Sequence, residues 1–495
     1  MKDTKLSMPS RILVIGANGY VGSNLVPALL REGHFVTATS RSLAQLEKQN
    51  WHAHPNVSLV QLDLAEECAE LLGKTLLGID VVYYLVHGMA SGTSFHDYEL
   101  AIARKVSTAL SKSQVSRLVY LGATQPDGES SSHLSARKAT GNILRESGVQ
   151  VIELRAGIII GSGSAAFEVM RDVVSHMLIV VVPKWVSSQS CPIALETVIQ
   201  YLLRLVTLSL EASPILEMKG PEAISYEQQM RRLARLLNKR IAIFKVPLLT
   251  PKMAASLLSV VTSVPTFVAS ALVEGLSHNL VSDKPDISSL IPLPAINFEA
   301  AVEVALANES DVVKSEIWGY DPDAIARWHK SYGYYPKQAG FTVKTNASAS
   351  ALWKNIQKVG GEEGYFFGNW LWQLRAYMDA AIGGEALKKR RPNADTLSVG
   401  DYIDSWKVIQ CDKQKHLSLL FGMKAPGLGR LEFSIEEHGD FRTLDIQAWW
   451  HPAGFPGLLY WFAMMIPHLF IFRGMAFALA KKSGATEISP SPRPQ

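Results

Sequence analysis

The sequence predicts an α/β chain: a doubly wound parallel sheet first, then a smaller α+β domain. Three observations predict it. Short β-branched runs alternate with helical stretches through the first two hundred residues. A glycine-rich turn follows the first strand and opens the first helix. Past Trp328 and an aromatic knot at Tyr332–Tyr335, the pattern turns β-rich, with Gly/Pro turns and many tryptophans.

In chain order, strands are expected at Arg11–Ile15, Phe35–Thr39, Val57–Gln61, Asp80–Val86, Arg117–Leu121 and Gln150–Leu154. Helices are expected near Tyr20–Arg31, Glu66–Leu77, His96–Ser113 and Ser132–Ser147. These elements make residues 1–215 a Rossmann-type NAD(P)-binding domain. Residues 216–335 read as a helical, substrate-side subdomain and linker, with a charged helix at Glu227–Leu237 and an apolar helical stretch around Leu248–Leu280. Residues 336–485 form the second domain, and the Ser/Pro-rich residues 486–495 are expected to be a disordered tail.

At 495 residues the chain is too long for one ordinary core. Hydrophobic residues make up 47% and charged residues 19%, an apolar composition for a globular chain, so an oily pocket is expected. The net charge of +4 gives nucleic acid little reason to bind, and most of the small excess falls after residue 330, where the run Lys388-Lys389-Arg390-Arg391 stands. Cys68, Cys191 and Cys411 are scattered, which suits a reducing compartment and offers no metal-ligand spacing. The polar N-terminus runs straight into a strand, so a cytoplasmic location is expected. Between Pro452 and Phe472 there is no Asp, Glu, Lys or Arg, but three prolines and two glycines break the stretch. It reads as a loop and a buried helix, with a peripheral contact at the inner face of a membrane as the lesser alternative.

The motif Gly16-Ala-Asn18-Gly19-Tyr20-Val21-Gly22 sits between a strand and a helix, the context a dinucleotide fingerprint needs. Gly16 allows the tight turn, Gly19 lets the backbone approach a pyrophosphate, and Gly22 lets the helix pack against the sheet. The helix N-terminus then faces the phosphate charge. At the end of the second strand stand Thr39, Ser40 and Arg41, with no carboxylate to hold a ribose 2′-hydroxyl. Arg41 offers a permanently charged fork to a 2′-phosphate and Ser40 a further donor, so NADP(H) is expected over NAD(H). Asp63 and Leu64 end the third strand, where this fold contacts adenine, although Asp63 equally suits a helix cap. His87 follows the fourth strand on the nicotinamide side.

These features, with Arg155-Ala-Gly157 further on, resemble the extended and atypical short-chain dehydrogenase/reductases, including NmrA-like proteins, over about the first 220 residues. The whole chain is similar to a bacterial group of NAD(P)-binding proteins with a C-terminal domain of uncharacterised function; SSHLSARKATGNIL, VGDYIDSWKV and LLYWFAMMIPHLFIF are among the stretches that carry this. The resemblance implies a catalytic Tyr-x-x-x-Lys on the helix after strand five, and a Ser near that strand's end. Here the spacing is filled by His133 and Arg137, and the Ser position by Thr124. Arg137 can hold ribose hydroxyls, His133 can donate a proton, and Thr124 can supply a hydroxyl. Two readings stay open: an NADPH-dependent reductase of an apolar, lipid-like or quinone-like substrate, or a non-catalytic NADP(H)-binding sensor or assembly factor.

In the second domain, strands near Asp401–Val408, His416–Phe421, Gly429–Glu436 and Arg442–Trp449 lie between a helix at Ser350–Val359 and a long terminal apolar helix. That order is analogous to the START-like (helix-grip) fold, which encloses hydrophobic ligands. Trp370, Trp372, Trp406, Trp449, Trp450 and Trp461 offer an aromatic lining for such a pocket, with plain core packing as the alternative for most of them.

Overall fold

The computed structural model describes residues 9–86, 95–128, 130–210, 212–262, 264, 266–312, 321–329, 331–384, 391, 393 and 396–492. The chain divides into two compact units, residues 1–317 and 318–495.

In the first unit the strands are β1 (Arg11–Ile15), β2 (Phe35–Ser40), β3 (Val57–Gln61), β4 (Val81–Tyr84), β5 (Arg117–Ala123), β6 (Gln150–Ala156) and β7 (Ile215–Met218). They form one sheet in the order β7-β6-β5-β4-β1-β2-β3, every neighbouring pair parallel. Parallel strands are covered on both faces, and β4 accordingly buries all four residues. Helix α1 (Tyr20–Arg31) packs with α5 (Leu195–Arg204), while α2 (Phe95–Leu110) packs with α3 (Ser132–Arg145). Strand order reverses between β1 and β4, the point where this topology opens a ligand crevice at the strands' carboxyl ends.

Beyond the sheet, α4 (Ala165–His176), α6 (Tyr226–Leu236), α7 (Pro251–Val261) and α8 (Thr266–Leu276) form the helical part of the unit, followed by α9 (Phe298–Val312). Ile215–Met218 pairs with β6, so the expected boundary at residue 215 cuts through the seventh strand of the sheet.

The second unit is a seven-stranded antiparallel sheet crossed by helices. Its elements are β8 (Lys337–Thr345), α10 (Ala349–Ile356), α11 (Asn369–Ala381), β9 (Tyr402–Ile403), β10 (Trp406–Asp412), β11 (His416–Phe421), β12 (Gly427–His438), β13 (Phe441–Pro452), α12 (Gly454–Lys482) and β14 (Ile488–Pro490). The order is β9-β10-β11-β12-β13-β8-β14, and α12 lies against β8 and β13. The unit begins before the boundary expected at residue 336, because Asp321 pairs with Lys407 at 2.9 Å and Arg327 donates to the Phe421 carbonyl at 2.7 Å.

Two further expectations are corrected. The stretch from Gly454 is one 29-residue helix rather than a loop and a buried helix: Pro456 falls in the first turn, which needs no N–H donors, and Pro467 costs a single backbone bond. One face of α12 is packed through Trp461, Phe472, Met475 and Leu479, while Phe455, Leu459, Ile466 and Phe470 are exposed. The tail is also partly ordered, since Ile488–Pro490 pairs antiparallel with Val343–Thr345.

Candidate functional site: the carboxyl edge of the parallel sheet

The loop after β1 is shaped for close backbone approach. Gly16 has φ +91°, and a Cβ there would stand 3.3 Å from the Leu85 carbonyl carbon beyond β4. A Cβ at Gly22 would lie 2.2 Å from the Gly16 oxygen, so α1 reaches the loop only because residue 22 has no side chain. Gly19 caps α1 without a side-chain hydrogen bond, and the first turn carries no acid, which leaves the positive helix end for an anion. Asn18 donates to Gln45 at 2.6 Å and ties the loop to the segment after β2. Val21 packs on the core, and Tyr20 lays its hydroxyl against Gly161, where a Cβ would fall 2.3 Å away. The residues present fit a dinucleotide pyrophosphate.

At the end of β2, Thr39 is buried and donates to the Val14 carbonyl, and Ser40 accepts from the Ser42 amide at 3.3 Å. Arg41 is exposed beside them. Asp63 accepts from the Ala65 amide at 2.9 Å, the turn-capping alternative, and Leu64 is a core residue whose carbonyl accepts from Lys105. His87 lies outside the described residues.

The expected catalytic group is rearranged. Arg137 is 6% exposed, and its guanidinium donates to the Val86 carbonyl at 3.1 Å, to the Leu121 carbonyl, and to Glu99 at 3.1 Å. It also lies over the Tyr120 ring at 5.0 Å. Those bonds hold the ends of β4 and β5 to α2 and engage the guanidinium to which the ribose role was assigned. His133 neighbours it one helical turn away, and burial, followed by the Arg137 charge, pushes its pKa down to about 4. Near pH 7 the imidazole is therefore a neutral hydrogen-bonding group.

Thr124 is brought to the edge as expected, its amide donating to the Ala156 carbonyl at 3.1 Å. Its hydroxyl donates to Glu217 at 2.8 Å, across a sequence separation of 93 residues. Glu217 is fully buried on β7, and burial raises its pKa against the opposing Thr124 hydrogen bond and the Arg155 charge. Sequence reading missed both Glu99 and Glu217, because their partners lie on distant elements and neither belongs to a motif.

The helical part of the unit encloses an apolar cavity with about 120 Å³ of internal space, walled by Ile158, Met170, Val173, Tyr226, Leu258 and Val273 among others. Helix α8, which contributes Val273, packs against both α3 and α4. Behind α4, Arg171 pairs with Glu168 at 2.6 Å and with Glu309 of α9 at 2.8 Å, all three buried.

In the second unit, Trp372, Trp406, Trp449, Trp450 and Trp461 line a cavity as expected, whereas Trp370 is 63% exposed on the outer face of α11. His451 is fully buried, bonded to the Gly333 carbonyl at 2.8 Å, and its pKa falls to about 3 through burial.

Residues 16–172 match the profile of a family described as NAD(P)H-binding, and residues 338–475 match one described as "Protein of unknown function (DUF2867)". The parallel sheet of the first unit thus carries an NAD(P)H-binding domain. Over 74 residues the chain is 35% identical to a 3 beta-hydroxysteroid dehydrogenase/Delta 5-->4-isomerase of Mycobacterium tuberculosis; this match covers 15% of the chain and 18% of that relative's length. Among solved structures, the chain is similar to the UDP-glucuronic acid 4-epimerase of Bacillus cereus in complex with UDP-glucuronic acid and NAD, at 14% identity and a TM-score of 0.47, covering 61% of this chain and 99% of that one. It is also similar to a nucleoside-diphosphate-sugar epimerase of Staphylococcus aureus, at 13% identity and a TM-score of 0.48, covering 59% and 99%.

Proposed function

We propose that the first unit is an NADP(H)-dependent reductase of the atypical short-chain dehydrogenase/reductase kind, acting on an apolar carbonyl compound or conjugated double bond. One observation carries this reading. Ile158, two residues beyond the end of β6, already forms part of the apolar cavity, while the Ala156 carbonyl just before it holds the Thr124 amide. The oily chamber begins where the crevice at the strand ends stops.

Gly16, Gly19 and Gly22 would seat the pyrophosphate, and Ser40 with Arg41 the 2′-phosphate. When bound, the nicotinamide supplies the hydride. The chain's own contribution is the proton: Thr124 Oγ1 gives its hydroxyl proton to the substrate oxygen and takes one from Glu217, 2.8 Å away. The hydrogen bond between them reverses when that carboxyl is protonated, a state that burial extends to a higher pH than for an ordinary carboxyl. The neutral His133 imidazole orients that oxygen by hydrogen bonding. The helix-grip reading of the second unit is supported by α12 crossing β8 and β13.

Incubation with NADPH and a panel of apolar ketones, enones and quinones tests the proposal. Turnover that Thr124→Val and Glu217→Gln each lower at least tenfold, with NADPH affinity unchanged, is the expected result. Tight NADPH binding with no oxidation by any panel member would instead establish the non-catalytic sensor.

A second reading is favoured by α12: its exposed apolar row and the exposed Trp370, Leu374, Tyr377 and Met378 of α11 carry no acid at the surface, as suits peripheral contact with an anionic membrane.

A further inference from the structure

The cavity of the second unit lies between α11, α12 and the inner face of the antiparallel sheet, with about 150 Å³ of internal space. Aromatic rings build its walls. Trp372 meets Trp406 edge-on at 6.2 Å, Trp406 meets Phe421 at 5.4 Å, and Phe421 meets Trp450 at 5.8 Å. On the α12 side, His468 is tilted against Trp461 at 5.4 Å and stacked on Phe472 at 5.2 Å. An apolar cavity of this size stays dry and accepts a benzene-sized guest.

Polar groups interrupt the apolar wall. Trp372 Nε1 and His468 Nδ1, like Trp406 Nε1 and Trp449 Nε1 on the sheet side, are shielded from solvent and make no geometrically good hydrogen bond among the described residues; Trp372 and His468 are the two on the helices. Buried polar atoms are normally paired, so each is available to a bound group. Arg375, the lining cation on α11, is engaged with the Tyr460 hydroxyl at 3.1 Å and the Lys424 carbonyl at 2.8 Å. The imidazole itself is neutral near pH 7, because burial lowers its pKa to about 4. Arg430, the lining cation of β12, is paired with Glu432 at 2.6 Å, so the wall offers hydrogen bonds while both of its cations are engaged. Access is short, since the lining residues Leu374 and Met378 are each 50% exposed.

We propose that this cavity is a binding site for a neutral, ring-bearing apolar molecule carrying a hydrogen-bonding group, received by Trp372 and His468. Flat aromatic walls and a volume near that of one ring select a ring over a long acyl chain. The proposal is independent of the chemistry of the first unit.

The test uses the full chain, isothermal titration and three probes: acetophenone, ethylbenzene and octanoate. Acetophenone is expected to bind saturably at the second unit's cavity, in a site that persists when the first unit's cavity is filled by Ala254→Leu, at least tenfold more tightly than ethylbenzene, with octanoate weaker still. Ala448→Leu, which fills the cavity from β13, should abolish binding while leaving the circular dichroism spectrum intact; Leu431→Phe serves the same purpose if that variant fails to fold. His468→Phe, which keeps the ring stack, should bring acetophenone down to the affinity of ethylbenzene. Ala254→Leu, in the cavity of the first unit, should leave acetophenone binding unchanged. Binding that survives both filling variants, disappears in Ala254→Leu, or favours octanoate would overturn the proposal.

Discussion

The Arg137 guanidinium and the Glu99 carboxylate meet at 3.1 Å where both side chains are almost wholly buried. The same arginine bonds the carbonyls of Val86 and Leu121, so one side chain joins α2 and α3 to the ends of two central strands. Removing it takes the cation from a buried carboxylate and the donor from two strand-end carbonyls. Arg137→Met is expected to destabilise the first unit by about 3–5 kcal/mol, measured by urea unfolding. A loss under about 1 kcal/mol, joined to a large loss of NADPH affinity, would restore the ribose-binding role.

Gly22 is the tightest point of the phosphate loop, its missing Cβ only 2.2 Å from the Gly16 oxygen. Gly22→Ala should push α1 off the loop and weaken NADPH binding at least tenfold by titration calorimetry. The half-buried Gly33→Ala, at φ +82° with nothing within 4 Å of the added Cβ, is the control: it should cost stability through backbone strain and leave affinity alone.

Arg41 is the only side chain at the end of β2 that carries a charge. Charge-assisted hydrogen bonds are worth about 1.5–3 kcal/mol, so Arg41→Ala should lose roughly ten- to a hundredfold in NADPH affinity. NADH affinity should stay the same. Equal losses for both cofactors would mean that Arg41 does not read the 2′-phosphate.

Burial lowers the pKa of four described histidines: His34, and more strongly His133 and His468 to about 4 and His451 to about 3, against an ordinary 6.5. The unfolded chain binds protons at these sites first, so their stabilising contribution is complete above pH 6.5 and is lost as pH falls toward 4 and below. The melting temperature should drop over that interval, and His468→Phe should flatten part of the drop. A melting temperature constant from pH 7 to pH 4.5 would contradict the burial of these rings.

Flotation with vesicles tests the exposed face of α12. Binding to anionic vesicles, weakened by salt and by the double change Ile466→Ser and Phe470→Ser, is expected. Recovery of all the protein in the unbound fraction at low salt would rule out the membrane contact.

The cofactor half of the first unit was legible because its signals are local. Arg11–Ile15, Tyr20–Arg31 and Val57–Gln61 are read correctly from periodicity, and the three glycines declare their steric purpose through spacing. The catalytic half was not, since the state of each group depends on partners far along the chain. Arg137 reads as a ribose ligand until Glu99 is placed beside it, and Thr124 reads as a turn residue until Glu217 arrives from β7. Helix α12 defeated the sequence reading for a different reason: proline and glycine are breakers only where the backbone needs their donors or a Cβ. Gly457, whose Cβ would stand 2.4 Å from the Pro426 oxygen, is instead a close-packing site inside the helix.

The short strand Ile488–Pro490 closes the side of β8 at Val343–Thr345. Any protein engineered to stop before it would present those backbone donors and acceptors to neighbouring chains, inviting strand exchange. A purification handle joined to the far end therefore needs a spacer long enough not to peel that strand away.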